Sequence, residues 1–422
     1  MNNYNNPRIW RLEKPPKLFN LREQVFLIVL LLSSMNFYSY GLHIFAVAFL
    51  LYGILGGRMH YAKGVGATLL LSVAVLFFWE HSLEGPTMMT RWMVWPMAFL
   101  LGYEMTIVDS ADEAGAEKME KKANYYMLTI AAGFFIHFVL NFFLSRGQSD
   151  LGRNTHDFWS KDVKAATGQA ALACVPIGWC VASFINNTRI LKKIPATLCL
   201  VMILQYNMTL STRTIFVMIL LVAIVAVVYS IISGDKTIKK VYTVLTVLVV
   251  LLAVVMAFRF NFFGLRSNFE DSSFYDRFFS KGGQDISEDG RWDNKMKYIE
   301  LAPLYIWGGG RIYRRVDSHA HDLILDIHDQ AGVLAAVACI MLVVSSIRVL
   351  IRLLKNKHIR FETRMTMICI FAAIYIEFTI EPIFEGMPDL LMMFCFLYGM
   401  NIRIDKNLSQ LYGEIPKKSR KE

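Results

Sequence analysis

Residues 213–233 read RTIFVMILLVAIVAVVYSIIS, one arginine followed by twenty residues without a charge. An α-helix rising about 1.5 Å per residue needs about twenty apolar residues to cross a hydrocarbon core about 30 Å thick. In lipid each backbone amide must bond within its own segment, which makes a helix the expected form of such a block. The period-2 alternation of a membrane barrel is absent. Similar blocks recur on both sides. Spans are expected at 24–40, 42–57, 63–79, 89–108, 124–144, 167–185, 195–210, 213–233, 240–259, 331–354, 365–381 and 389–404. The fold class that follows is an all-α polytopic membrane protein with about twelve transmembrane helices. No internal repeat and no low-complexity segment interrupts them.

Composition agrees. The 422 residues are 55% hydrophobic and 18% charged, whereas soluble domains carry about 25% charged residues. The net charge of +10 does not point to nucleic acid. The Lys and Arg residues flank the spans, where topology demands them, and no basic stripe lies on a soluble domain. Alternate connections are basic: the N-terminus, Arg58/Lys63, Lys118/Lys121/Lys122, Arg189/Lys192/Lys193, Lys236/Lys239/Lys240, Arg348 to Arg364, and the tail ending KKSRKE. The intervening short loops are acidic around Glu80–Pro86 and Glu381–Asp389, and neutral at Ser211–Thr212. Only 145–166 is mixed.

By the positive-inside rule both termini are cytoplasmic. The basic start leads into a full-length span rather than a cleavable signal peptide. The expected organisation is a basic N-terminus (1–23), nine spans (24–259, with an extracytoplasmic loop at 145–166), a large extracytoplasmic loop (260–330) between spans nine and ten, three further spans (331–404) and a basic tail (405–422). The aromatics of the large loop, among them Trp292 and Trp307, favour a position against the membrane. All six cysteines fall inside apolar spans, so neither disulfides nor a metal site is expected.

Candidate chemistry concentrates at the outer face. Arg213 opens the quoted span; it either snorkels to the interface or faces a cavity and grips a phosphate. In the large loop, Arg291–Trp292 opens an amphipathic helix, and Pro303 and the Gly308–Gly309–Gly310 turn follow. Such a turn lets backbone N–H groups approach an anion, with Arg311, Arg314 and Arg315 beside it. Ser318, His319 and His321 come next. The i, i+2 spacing of the histidines does not suit two metal ligands on one helix face, so a general base is the better reading of them. Glu377, Glu381 and Glu385 recur at i, i+4, i+8 near the interface, where ordinary solvation explains them as well as sugar binding or pairing with the arginines does. His137 and Glu104, alone in spans, read as satisfied core or rim groups.

Four features together resemble the superfamily of bacterial O-antigen polymerases and O-antigen ligases. They are Thr212–Arg213 at the start of a mid-chain span, Arg291–Trp292 opening the large loop helix, Pro303 with Gly308 and Gly310, and His321–Asp322 heading a helix that closes on Gly332–Val333–Leu334. These motifs cover about a quarter of the chain. Two departures stand out: Asp322 occupies a position where the family commonly has Asn, and His319 offers a second histidine.

The resemblance implies a GT-C-like fold. It also implies a glycosyltransferase, needing no cofactor or metal, that draws a glycan from an undecaprenyl-pyrophosphate carrier with inversion. Arg213 and Arg291 match the family's pyrophosphate-binding arginines, and His321 its base. Arg266, Arg311, Arg314, Arg315, His319, Trp292 and Glu381 are further substrate-binding candidates. The implied partners are the lipid-linked oligosaccharide, the bilayer and a chain-length regulator. A polymerase in the inner (cytoplasmic) membrane of a bacterium is the leading expectation, with an O-antigen ligase or protein O-oligosaccharyltransferase of the same superfamily as runner-up. From another class, a lipid-linked oligosaccharide flippase remains an alternative; it would show inverted repeats and midplane charges.

Overall fold

The computed structural model describes residues 18–78, 86–108, 112–145, 154–186, 190–210, 212–233, 259–261, 265–270, 275 and 290–413. The ninth expected span, nearly all of it, the basic extremities and residues 276–289 lie outside the described residues.

The elements are helices α1 (Leu21–Ser34), α2 (Gly41–Ile54), α3 (Val65–Phe78), α4 (Pro86–Met105) and α5 (Glu113–Ser145), a two-stranded antiparallel hairpin of β1 (Thr155–His156) and β2 (Val163–Lys164), then α6 (Ala166–Asn186), α7 (Ile194–Leu210) and α8 (Thr214–Ser233). The short α9 (Leu265–Glu270), α10 (Arg291–Leu301) and α11 (Arg311–Val316) lie in the large loop. They are followed by α12 (Leu323–Lys355), α13 (Phe361–Ile380), the short α14 (Ile383–Gly386) and α15 (Pro388–Tyr412).

Among the described residues, five helices are long and apolar enough to cross a membrane: 113–144, 168–186, 214–233, 323–355 and 361–380. Shorter apolar helices cover 41–54, 65–76 and 194–208. The chain is thus an all-α protein of membrane type. Each expected span inside the described residues falls on a helix.

Burial ranks the helices. On α15 every residue from Pro388 to Asn401 is buried, and an apolar helix buried all round belongs inside the bundle. It packs on α4 through two glycines. A Cβ at Gly102 would lie 2.0 Å from the Phe396 carbonyl oxygen, and one at Gly399 would lie 2.0 Å from that of Phe99. Small residues let the two backbones touch, the usual device where lipid supplies no hydrophobic drive between helices. Helix α8, by contrast, exposes Val217, Leu220, Leu221, Ile224, Val228 and Ile231, the side expected to face lipid. Helix α13 packs against α6 and α8, and α12 against α3.

Both lone span groups find a partner, although His137 Nδ1 has no hydrogen-bond partner among the described residues. Glu104 accepts from the His60 backbone N–H at 2.6 Å and lies 3.0 Å from His60 Nδ1. His137 Nε2 lies 2.9 Å from Asp157 Oδ2. That pair ties the hairpin to α5, assisted by Asn141, which accepts the Phe158 N–H, and by Gln169, which donates to Thr155.

A carboxylate hub as candidate active site

Glu381 follows the last residue of α13, and its side chain is 2% exposed. Three segments converge on it. Arg291 Nη1 donates to Glu381 Oε1 at 3.3 Å and to the Ile380 carbonyl at 3.3 Å. Thr214 Oγ1 donates to Glu381 Oε1 at 3.4 Å. His321 Nδ1 stands 3.5 Å from Glu381 Oε2, close enough for an ion pair but not aligned as a hydrogen bond. One carboxylate therefore joins the start of α8, the start of α10 and the start of α12, which are 167, 90 and 60 residues away along the chain.

Each arm has a local cause. Thr212, buried beside Arg213, accepts the Thr214 N–H at 3.2 Å and turns the chain into α8. On α10, Arg291, Lys295 and Tyr298 share one face at i, i+4 and i+7. Arg291 and Lys295 both reach the last carbonyls of α13, those of Ile380 and Thr379. Cations suit a helix C-terminus, where orphan carbonyls gather partial negative charge. Tyr298 anchors the same face, donating to the Ser318 carbonyl at 2.9 Å and packing with Ile312 and Ala320. Asn294 donates to Ser318 Oγ at 2.9 Å. The flank of α10 about 100° round from this face carries Trp292, Met296 and Ile299, all exposed, and the turn after it exposes Leu304, Ile306 and Trp307. An exposed apolar stripe beside a docked polar face suits an element lying in a membrane interface.

His321 heads α12 with φ of 52°, a left-handed conformation that costs a non-glycine residue energy and recurs at functional sites. Asp322 then caps α12 by accepting the N–H groups of Ile324 and Leu325 at 3.0 and 3.2 Å. Asp and Asn cap about equally well, so Asp322 performs here the capping that Asn would. Lys295 Nζ lies 3.7 Å from Asp322 Oδ2.

The glycine turn corrects one expectation. Gly308, Gly309 and Gly310 all have positive φ, yet all three N–H groups are taken up internally, that of Gly308 by the Tyr305 carbonyl at 3.1 Å. Helix α12 breaks at Gly332, which has φ of 80° and extended ψ. The groups released by the break are met by the turn: Gly309 N–H donates to the Gln330 carbonyl at 3.1 Å, Gly310 N–H to that of Asp329 at 2.8 Å, and Val333 N–H to that of Ile306 at 2.9 Å. Non-helical backbone deep in a membrane protein persists only where protein re-satisfies it. A Cβ on Gly308 would lie 2.5 Å from Gly332 N. The Asp329 carboxylate accepts the Ile312 and Tyr313 N–H groups at 2.7 and 3.1 Å and so starts α11. The turn is a backbone splice into a broken helix, not an anion cradle.

The remaining candidates are dispersed. Arg314 donates to the Gly309 and Gly310 carbonyls. Arg315 reaches the Tyr305 hydroxyl at 3.3 Å, and exposed Arg266 pairs with Glu270 at 2.8 Å. Arg311 is exposed. The His319 ring lies 4.7 Å from that of Tyr313. Arg213 is half-buried next to Thr214.

The glutamates also differ from expectation. Glu377 is 0% exposed and Glu381 2%, so solvation does not explain them. Neither carboxylate oxygen of Glu377 has a hydrogen-bond partner among the described residues. It lies on α13 four residues before Glu381, whose backbone N–H donates to the Glu377 carbonyl at 3.1 Å. An ionisable group so placed in a membrane helix is a functional candidate by default. The i, i+4, i+8 spacing exposed the group in the sequence, but its burial did not show there. Among the described residues, no cluster of three or more His, Cys, Asp or Glu side chains is arranged to hold a metal.

No protein-family model matches this chain, and no curated protein matches it significantly.

Proposed function

We propose that this protein is a membrane polysaccharide polymerase. It transfers glycan repeat units from an undecaprenyl-pyrophosphate carrier to a sugar hydroxyl at the extracytoplasmic face. The observation that carries the reading is the convergence of Arg291, His321 and the Thr212–Thr214 segment on buried Glu381. In this reading twelve spans, with both termini cytoplasmic in a bacterial inner membrane, make a GT-C-like bundle, and residues 260–330 form its catalytic loop.

The geometry supports the following chemistry. Glu381 faces His321 Nδ1 and orients the imidazole, which leaves Nε2 to take the proton of the attacking hydroxyl. The oxygen attacks the anomeric carbon opposite the pyrophosphate, the C–O bond to the carrier breaks, and the configuration inverts. Arg291 and Arg213 bear on the departing pyrophosphate, whose growing charge planar guanidinium groups stabilise. The exposed apolar face of α10, with Trp292, keeps this machinery at the depth where a lipid-linked donor presents its reacting carbon.

The test is to delete the gene and complement with wild type, Arg291→Ala and His321→Ala, then resolve surface and lipid-linked glycans on gels. Single repeat units in place of long chains, rescued by wild type alone, are expected. Long unattached chains on the carrier would assign a ligase instead. Unchanged glycans in the deletion strain would remove the glycosyltransferase reading and bring a flippase forward.

A further inference from the structure

Far from Glu381 the bundle holds a cavity of about 720 Å³ between the loop before α3, α4, α12 and α15. Along α12 the distance from Leu323 to Arg348 is about 37 Å at 1.5 Å per residue, more than the roughly 30 Å of a hydrocarbon core. The cavity therefore lies at the other membrane face, the cytoplasmic one in the topology proposed above.

Its charges are unbalanced. Lys63, Arg348, Arg352 and Lys406 line it against a single carboxylate, Asp405. Arg352 takes that carboxylate, with Nε and Nη2 at 2.9 and 2.7 Å from Oδ2. Lys406 donates to a neutral acceptor, the Tyr103 hydroxyl at 3.0 Å, which also receives Arg403 Nη1 at 3.2 Å. Arg348 and Lys63 make no ion pair among the described residues. Arg348 and Arg352 stand at i and i+4 on one helix face, where like charges repel.

Basic residues at cytoplasmic span ends are ordinarily solvated loop charges. These differ, because three of the four stand on helices and all surround a cavity. The same cavity is walled by Tyr398 and Ile402, which gives it an apolar side that a free inorganic anion would not need. Basic pockets between membrane helices on the cytoplasmic side are suited to lipid phosphates.

We propose that this cavity binds the phosphate headgroup of an anionic phospholipid, with Arg348 and Lys63 contacting phosphate and Tyr398 and Ile402 meeting the glycerol and first methylenes. The site is separate from the Glu381 hub, and its test uses no glycan readout.

The full chain, purified in detergent, would be titrated with cardiolipin, phosphatidylcholine or inorganic pyrophosphate, and bound species counted by native mass spectrometry. Wild type is expected to retain cardiolipin over phosphatidylcholine. The Lys63→Gln/Arg348→Gln double variant should retain it about tenfold or more weakly, since two near-surface cations are removed. Lys161→Gln, which alters an exposed cation on the hairpin, should leave retention unchanged, and equal thermal midpoints would show that the double variant is folded. Should the double variant be unstable, Arg348→Gln alone carries the same comparison. Equal cardiolipin retention in folded variant and wild type would overturn the site. Pyrophosphate bound with no lipid preference would overturn the lipid assignment.

Discussion

Glu381 shows how much one side chain can organise. A carboxylate 2% exposed is expensive to bury unless cations and donors meet it, and here Arg291, His321 and Thr214 do so. Glu381→Gln preserves shape and removes the charge. If Glu381 orients His321, this variant should lose product formation about 10²-fold or more while still purifying as a monodisperse protein. The readout is long-chain glycan per unit of membrane protein. Near-normal product from Glu381→Gln would reduce the hub to a structural tie.

At the scale of elements, the determining contact is between the Pro303–Gly310 turn and the break in α12. Gly308 has φ of 77° and no room for a Cβ. Gly308→Ala should cost about 1–3 kcal/mol through strain alone. It should also displace His321, because α12 and the loop before it are spliced at this point. A lowered thermal midpoint with glycan synthesis lost is expected; an unchanged midpoint would contradict the splice.

A second element-level device is the docking of the β1–β2 hairpin by Asp157 onto His137. Burial pushes the Asp157 carboxyl up, but the hydrogen bond and charge of His137 and the N–H groups of Ser160 and Trp159 outweigh it, holding the carboxyl well below the usual carboxylate range. The unfolded carboxyl titrates near about 3.9. The folded state therefore binds fewer protons below that value, and the contribution is complete above about pH 4 and is lost as pH falls further. The thermal midpoints of wild type and Asp157→Asn should differ most near neutral pH and draw together on acidification. A constant difference would mean that the carboxyl does not carry the docking.

For the whole molecule, the question is depth. Trp292 on α10 and Leu304, Ile306 and Trp307 just after it are exposed apolar residues. If these residues lie in the lipid interface, shallowly brominated acyl chains in reconstituted vesicles should quench the two tryptophans. The quenched component should disappear in Trp292→Phe/Trp307→Phe. Quenching that is equal in the double variant and wild type would place these residues in water or against another protein.

The sequence by itself determined the helical class, because apolar blocks such as 213–233 allow no other backbone arrangement in lipid, and every expected span inside the described residues falls on a helix. It also singled out Arg291, His321, Arg213 and Glu381, since charged and titratable groups stand out in an apolar chain. Three things depended on the tertiary structure. The grouping of those residues around Glu381 arises from contacts 60 to 167 residues apart, which no local spacing encodes. The burial of Glu377 follows from the packing of α13 against α6 and α8, whereas its sequence position near a span end reads as solvated. The role of Gly308–Gly310 depended on where its N–H groups found acceptors: a glycine turn is equally apt for an anion or a broken helix, and the carbonyls freed at Gly332 decided for the second.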